Sequence, residues 1–397
     1  MRIAMMVRGF LPTPPQNDIA YSPASVAKSL AEGLAARGHD ITFFGPEGTT
    51  FQQSSIVIET CGLQPTASSM AEFDEQVSTT DLFADYRFEL YDGVMARQMF
   101  TRADAGEFDC VVFHHFESAL TLAPLFPEIP VVFILHDVLD KKRKEVIEQN
   151  TSTNQHFISI SNNQRRGLPD LNYAATIYNG IDTEKFELNE EAEDYLMISG
   201  RITPEKGVSE AVQVAIATKR RLLIAGSLSR QNFRYFDEEI KPYLDDKILY
   251  LGMLDHNQLV KYYSKAAVLL CPIQWDEPFG LSMAEANSCG TPVIAFNRGS
   301  VPEVVADGKS GFIVNNSAEM ILAIEKLNKI KRKDCAKHAR DHFSESIMVD
   351  AYEKILQDIT AVSSKPNARI TAQKRHRIYQ GLARIGKLIT GQDDLKH

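Results

Sequence analysis

The sequence predicts an α/β protein with two doubly wound parallel sheets. At 397 residues the chain exceeds the usual size of a single hydrophobic core, so two domains are expected. An apolar segment at Arg2–Val7, a helix that starts at Ser22 and an apolar segment at Ile41–Phe44 form a β-α-β unit, with which a doubly wound sheet begins. A new series of apolar segments starts at Tyr195–Ser199. The acidic run Glu187–Asp194 between the two series is the expected linker.

The composition fits a soluble globular protein. Hydrophobic residues make up 44% of the chain and charged residues 24%. The net charge of −9 and the isoelectric point near 5.6 argue against nucleic-acid binding. Five cysteines without a C-x-x-C spacing are expected to be free thiols in a reducing compartment. Met1–Val7 lacks a signal-peptide cleavage pattern and no apolar run approaches the roughly 18 residues that span a bilayer, so a cytoplasmic location is expected.

The first helix has a start signal with a known mechanism. Ser22 is the expected N-cap, and Pro23 lies in the first turn, where the missing N–H of proline costs nothing. Gly38 is expected to end the helix, because glycine adopts the left-handed conformation that often follows a helix. The buried face consists of apolar residues at helical spacing, namely Val26, Leu30 and Leu34.

Histidines follow two apolar segments of the first half. His136 directly follows the expected strand 130–135, and His114 and His115 lie at the end of the expected strand 109–114. Ligands of α/β sheets bind at the carboxyl ends of the strands, so each histidine is a candidate site residue. The alternative for each is a packing role with a satisfied hydrogen bond.

The segment 276–290 organises the second half. It follows the apolar run 267–272, which is expected to be a buried strand. A helix is predicted from Gly280 to Cys289, and Gly290 is expected to end it. The N-terminus of this helix then opens toward the carboxyl end of a strand, where free N–H groups and the helix dipole favour phosphate.

Two carboxylates flank this anion site. Glu277 lies on the loop and Glu285 lies inside the helix, and eight helical residues rise roughly 12 Å at 1.5 Å per residue. This separation is close to the length of a sugar nucleotide. Glu277 is therefore predicted to hold a sugar and Glu285 a ribose. The diphosphate would lie between them on the backbone amides of Phe279, Gly280, Leu281 and Ser282. The alternative is that both acids are ordinary solvated residues near a helix start.

Several motifs of the second half occur in one order. The sequence W-D-E-P-F-G-L-S-M-A-E-A-N-S-C-G-T-P-V-I-A starts at Trp275 and is followed by G-S-V-P-E-V-V at Gly299 and D-G-K-S-G-F at Asp307. A G-R-x4-K-G pattern at Gly200 precedes them. Together these motifs closely resemble the donor site of the family 4 glycosyltransferases, which are retaining enzymes with the GT-B fold. The resemblance implies two Rossmann-like doubly wound domains that face each other across a cleft.

The resemblance also implies roles for individual residues. Arg201 and Lys206 would stabilise the negative charge of a leaving diphosphate, although as isolated cations they would be interpreted as solvated. His136 would face the transferred sugar, and Glu277 would position that sugar rather than attack it. The phosphate of the donor is expected to accept the proton of the acceptor, with retention of the anomeric configuration. No metal and no cofactor are expected.

The first loop departs from the family pattern. Family members carry a tyrosine and two glycines before the first helix, where the backbone approaches the donor diphosphate. Here the corresponding residues are Tyr21-Ser22-Pro23-Ala24, and Pro23 removes one amide donor. Either Gly9 and its neighbours make the donor contact, or the loop has a different conformation. The segment 51–98, where family members carry acceptor specificity, has no clear periodicity.

The resemblance divides the chain into four parts. Residues 1–190 would form the acceptor-side domain, 191–345 the nucleotide-sugar-binding domain, and 346–361 a helix that crosses back to the first domain. Residues 362–397 form a tail with eight basic and two acidic side chains. Apolar residues at helical spacing in this tail would suit either a membrane surface or a solvated or partner-bound helix, namely Ile378, Leu382, Ile385 and Leu388. A peripheral contact with the inner face of the membrane is therefore a second expectation beside the cytoplasm.

The predicted function is the transfer of a hexose from a nucleotide sugar to a hydroxyl-bearing glycan, lipid or small molecule, as in glycan, glycolipid or cell-envelope polysaccharide biosynthesis. The resemblance places the base against the main chain of Gly252 and Met253, which does not distinguish uridine from guanosine. A UDP-sugar is favoured, with a GDP-sugar as the alternative. A sugar-nucleotide epimerase of the same architecture and a non-catalytic nucleotide-sugar-binding protein are the other functions considered. A dinucleotide dehydrogenase is disfavoured, because no G-x-G-x-x-G follows the first strand.

Overall fold

The computed structural model describes residues 1–15, 21–67, 72 and 82–363. These residues form two parallel sheets, which confirms the predicted fold class. The first sheet has the strand order β3-β2-β1-β4-β5-β6-β7. Its strands are β1 Arg2–Met6, β2 Asp40–Phe44, β3 Val57–Glu59, β4 Cys110–Phe113, β5 Val131–Leu135, β6 Gln155–Ser159 and β7 Tyr173–Thr176.

The second sheet repeats this arrangement with the order β10-β9-β8-β11-β12-β13. Its strands are β8 Tyr195–Ser199, β9 Arg221–Ala225, β10 Ile248–Tyr250, β11 Val268–Cys271, β12 Val293–Phe296 and β13 Gly311–Val314. In each sheet the strand order changes direction at one point, between β1 and β4 and between β8 and β11. Ligands of open α/β sheets bind outside the carboxyl ends of the strands at such a point.

Helices connect the parallel strands. The described α-helices of the first half are Ser22–Ala36, Leu82–Asp104 and Lys141–Gln149. Those of the second half are Val208–Thr218, Phe233–Glu239, His256–Lys265, Leu281–Ser288, Val301–Val304, Ser317–Ile324, Arg332–Phe343 and Glu345–Ser363. None of the helices in the described ranges is long and apolar enough to cross a membrane.

One predicted helix end is wrong. Ser22 is the first helical residue rather than the N-cap; Tyr21 occupies the N-cap position, and no side chain caps this end. The predicted helix 346–361 lies within the helix Glu345–Ser363, and Ser344, whose backbone is extended, separates it from the helix Arg332–Phe343. Ile181 forms a bridge with Ser344, so the break is fixed by the first half of the chain. Pro23 does lie in the first turn, as predicted.

The last described helix lies on the first half of the chain. Glu345 accepts a hydrogen bond from Ser29 Oγ at 2.5 Å, and Glu353 lies 2.8 Å from His39 Nε2. Val349 fills the space that Gly33 leaves, where a Cβ on the glycine would lie 2.5 Å from a Val349 methyl. One cluster of buried apolar residues therefore runs from the first sheet through Tyr352 into the second sheet. The tail from residue 364 onward, with its predicted amphipathic helix, lies outside the described residues.

Candidate functional site

Glu277 lies at the centre of the site, on the loop that follows β11. One of its oxygens, Oε2, accepts hydrogen bonds from Lys206 Nζ at 2.5 Å and from Trp275 Nε1 at 3.1 Å. The ammonium of Lys206 also lies 5.5 Å from the centre of the Trp275 ring. The Glu277 residue is only 9% exposed, so its charge depends on these partners. The second oxygen has no partner among the hydrogen bonds of the described residues, which leaves it available to a ligand hydroxyl.

Gly299 and Ser300 pack against the backbone around Glu277. The Ser300 N–H donates to the carbonyl oxygen of Glu277 at 2.9 Å, and Ser300 Oγ donates to the carbonyl oxygen of Phe279 at 2.7 Å. A Cβ on Gly299 would lie 2.3 Å from the Glu277 nitrogen, and the φ of Gly299 is +56°. The glycine is thus required for the two segments to approach so closely.

The helix Leu281–Ser288 starts beside Glu277. Its N-cap, Gly280, has a φ of +84°, and within the described structure no side chain caps this end. The first N–H groups of the helix are therefore free to bind an anion, and the helix dipole favours one. The structure thus places this helix N-terminus, where the sequence predicts an anion site, after the carboxyl end of β11 and next to the switch point of the second sheet.

Glu285 points from this helix into a buried polar position. Burial raises the pKa of Glu285 to about 7, and the neighbouring Tyr263 and Lys185 oppose that rise. Tyr263 is fully buried, and its hydroxyl lies 2.5 Å from Ser199 Oγ at the end of β8. Glu285 therefore lies close to the carboxyl ends of β8 and β11. A group that binds ribose hydroxyls is expected at this position.

Glycines bring the ends of β8, β9 and β10 close together. The Gly226 N–H donates to the carbonyl oxygen of Gly252 at 2.8 Å. A Cβ on Gly226 would lie 1.7 Å from the Gly200 oxygen, so no larger residue fits there.

Arg201 follows Gly200 and is exposed, and Met253 is half-buried. Arg201 forms no ion pair with any residue in the described ranges, which leaves its guanidinium available to a ligand phosphate.

The three candidate histidines lie together at the carboxyl edge of the first sheet. His136 Nε2 lies 3.0 Å from His114 Nδ1, and the two rings are stacked with their centres 5.2 Å apart. Burial lowers the pKa of His136 to about 4, so this imidazole is neutral near pH 7. His136 is half-buried, whereas His114 and His115 are buried behind it. With Glu117 and Asp137 they line one small cleft.

An aspartate that the sequence did not reveal organises the loop after β1. Asp92, on the helix Leu82–Asp104, accepts hydrogen bonds from the Gly9 N–H at 2.6 Å and from Arg8 Nε at 3.2 Å. It also lies 3.4 Å from His115 Nε2. Burial raises the pKa of Asp92 to about 7. The Gly9 N–H thus already donates to a carboxylate of the protein and is not available to a donor diphosphate in this conformation. The role of Gly9 in donor binding stays a prediction.

No group of three or more acidic, histidine or cysteine residues is placed to hold a metal ion within the described part of the chain. Lys206 bonds Glu277, and the exposed Arg201 lies on the same segment, which follows β8. Gly207 lets this segment pass close to β11, because a Cβ there would lie 2.0 Å from the Pro272 oxygen. The site therefore offers two cations, a helix N-terminus and two carboxylates.

The two halves of the chain match two known families. Residues 24–185 match the family described as glycosyltransferase family 4, and residues 180–344 match that described as glycosyl transferases group 1. A D-inositol 3-phosphate glycosyltransferase of Mycolicibacterium smegmatis is 30% identical over 190 residues, which are 44% of this chain and 43% of the relative. An uncharacterized 41.2 kDa protein in the cps region of Klebsiella pneumoniae is 32% identical over 169 residues, 40% of this chain and 45% of the relative. The matched part thus spans less than half the length of either relative.

Solved structures match over most of the chain. A sucrose-phosphate synthase from Thermosynechococcus elongatus superposes with a TM-score of 0.74 at 17% identity, over 91% of this chain and 100% of that structure. HepE of Anabaena in complex with UDP and glucose superposes with a TM-score of 0.66 at 16% identity, over 90% of this chain and 100% of that structure.

Two parallel sheets with matching strand orders, together with these neighbours, define a protein of the GT-B fold. The two family matches overlap at residues 180–185 and together extend from residue 24 to residue 344. The chain belongs to glycosyltransferase family 4, as the motifs around Glu277 and Arg201 predicted.

Proposed function

We propose that the protein is a retaining glycosyltransferase that moves a hexose from a UDP-sugar to a hydroxyl group of an acceptor. The observation that carries this proposal is the pairing of Glu277 with Lys206 beside the uncapped N-terminus of the helix Leu281–Ser288. A carboxylate that can bind sugar hydroxyls, a cation that can bind a diphosphate and an uncapped helix N-terminus thus lie close together. The neighbour solved with UDP and glucose supports a uridine donor.

In this proposal each group has one task. The diphosphate binds the first N–H groups of the helix Leu281–Ser288, and Arg201 and Lys206 stabilise the charge that develops on it as the glycosidic bond breaks. Glu277, through its free oxygen, orients the sugar hydroxyls, and Glu285 holds the ribose. The neutral imidazole of His136 hydrogen-bonds the transferred sugar from the other side of the cleft.

The acceptor is proposed to enter from the first half of the chain. Because no protein base is assigned there, the donor phosphate takes the acceptor proton while the new bond forms on the same face, which retains the anomeric configuration. No metal takes part. We propose that the acceptor belongs to glycan, glycolipid or envelope polysaccharide biosynthesis, and that the basic tail 362–397 brings the enzyme to the inner face of the membrane.

The test is a thermal-shift and nucleotide-release panel with UDP-, GDP- and ADP-sugars. We expect one UDP-sugar to stabilise the wild-type protein, since a ligand that binds only the folded state raises its stability by mass action. Arg201→Ala should lose this stabilisation, and Arg340→Ala, an exposed arginine on the helix Arg332–Phe343, should keep it. Absence of stabilisation by every nucleotide sugar would contradict the donor site. A changed sugar without any acceptor would instead indicate an epimerase.

A further inference from the structure

Glu303, on the short helix Val301–Val304, forms a four-bond contact with the first half of the chain. Its Oε2 accepts hydrogen bonds from the Asn162 N–H at 2.7 Å, from Asn162 Nδ2 at 3.0 Å and from the Tyr178 hydroxyl at 3.0 Å. Its Oε1 accepts a bond from the Asn163 N–H at 2.8 Å. A carboxylate that accepts several N–H and O–H bonds forms strong, charge-assisted contacts. One side chain thus joins the two halves.

On the donor side, hydrogen bonds through Ser300 connect Glu303 to the loop of Glu277. The Glu303 N–H donates to the Ser300 carbonyl oxygen at 2.8 Å. Ser300 in turn holds the carbonyl oxygens of Glu277 and Phe279, at 2.9 and 2.7 Å. A displacement of Glu303 therefore moves the backbone that carries the sugar-binding carboxylate.

On the acceptor side, the partners of Glu303 lead directly to the strand end at His136. Asn162 and Asn163 precede Gln164, whose side chain is buried. Gln164 Nε2 donates to the carbonyl oxygens of Leu135 at 3.0 Å and Asp137 at 2.8 Å, the residues on either side of His136. Hydrogen bonds and the peptide bonds between adjacent residues therefore connect the two groups proposed to contact the sugar from opposite sides.

Solvent reaches the contact that Glu303 makes. A cavity of about 440 Å³ lies beside it, lined by residues of both halves that include Asn163, Arg166, Arg298 and Glu303. Water can therefore reach the bonds of Glu303, whose side chain is half-buried. The Tyr178 ring also packs against Phe279, with ring centres 6.0 Å apart, so an apolar contact accompanies the polar one.

We infer that Glu303 is a positioning residue for transfer: through Ser300 and Gln164 it sets Glu277 and His136 at the distance that the reaction needs. This inference rests on the proposed function. It differs from that function in assigning a role to a residue that touches neither donor nor acceptor. Misplacing reacting groups by about 1 Å can cost about 100-fold in rate, so a contact of this kind controls turnover more than donor binding.

The test compares Glu303→Gln with Glu325→Gln, an exposed glutamate of the same half. Glutamine keeps the size of the side chain but replaces one acceptor oxygen by an NH2 group, which cannot accept the Asn162 or Asn163 N–H. We expect Glu303→Gln to lower kcat at least about tenfold, with UDP affinity changed less than about twofold and the unfolding temperature nearly unchanged. Glu325→Gln should leave all three unchanged.

Two further measurements separate the possible failures. Asn162→Ala removes one of the four bonds, and its effect on kcat should be smaller than that of Glu303→Gln and not additive with it. Small-angle scattering of the UDP-bound protein should give a larger radius of gyration for Glu303→Gln than for wild type, whether or not transfer is observed.

Equal radii, or a kcat equal to wild type, would overturn the inference. A parallel loss of UDP affinity and unfolding temperature would also overturn it, because that is the result of a merely structural role. A wild-type protein that transfers no sugar would count against the proposed function alone.

Discussion

Replacing Lys206 by methionine removes the ammonium that pairs with Glu277 while keeping an apolar stem of similar length. The carboxylate then keeps only the Trp275 Nε1 bond, at 3.1 Å. Two consequences follow: the folded protein contains a poorly compensated charge, and the site loses one of the two cations proposed to stabilise the leaving diphosphate.

The magnitude follows from the geometry of the pair. At 2.5 Å and an effective dielectric constant of about 20, the attraction is about 7 kcal/mol, much of which is offset by desolvation. Truncating one partner of a hydrogen-bonded charge pair costs about 2–5 kcal/mol. The side chains of Lys206 and Glu277 are 20% and 11% exposed, so some water remains and the lower end, about 2 kcal/mol, is expected for stability. For transfer, loss of one charge-stabilising donor predicts a fall in kcat of about 100-fold.

The assay measures urea unfolding and kcat for Lys206→Met, for Glu277→Gln and for the double variant. Glu277→Gln removes the charge that Lys206→Met leaves unpaired, so the double variant should be more stable than the sum of the single effects predicts. Its activity should stay lost. Lys337→Met, in an exposed pair with Asp341, should cost less than about 1 kcal/mol. A Lys206→Met protein with wild-type stability and wild-type kcat would refute the reasoning.

Two further predictions concern the frame of the site. Gly207→Ala should destabilise the protein by more than about 1 kcal/mol in urea unfolding, because a Cβ would lie 2.0 Å from the Pro272 oxygen and the φ is +68°. Gly93→Ala, where nothing lies within 4 Å, should not, and equal effects of the two would contradict the steric argument. Burial raises the pKa of Glu285 from 4.5 to about 7, so the folded state binds more protons than the unfolded state between these values. The free energy of unfolding should therefore fall as the pH rises from 4.5 to about 7, with a shallower slope in Glu285→Gln, and an unchanged slope would show that Glu285 does not titrate there.

The sequence predicted those parts of the fold that depend on local patterns. The strand β8 has the predicted bounds, and the helix after Gly280 begins and ends within one residue of its prediction. Continuous apolar runs, a glycine at the start of that helix and a glycine after it are signals carried by neighbouring residues. The donor loop could be found for the same reason.

The contacts that the sequence did not reveal join residues that are far apart in the chain. Glu303 contacts Asn162 across 141 positions, and Asp92 contacts Gly9 across 83. No local period marks such pairs. Asp92 also lies on a helix from a segment without clear periodicity, although its buried neighbours Met95 and Met99 are at helical spacing. The break at Ser344 depends on its bridge to Ile181, again a contact between the two halves.

The most direct measurement of the central claim is a crystal structure of the protein with UDP. The account predicts that the diphosphate lies within hydrogen-bond distance of the N–H groups of Leu281 and Ser282, with Arg201 and Lys206 on its other oxygens. Glu285 should contact the ribose, and the base should lie against Gly252. A diphosphate bound away from this helix N-terminus, with Arg201 still exposed to solvent, would contradict the account.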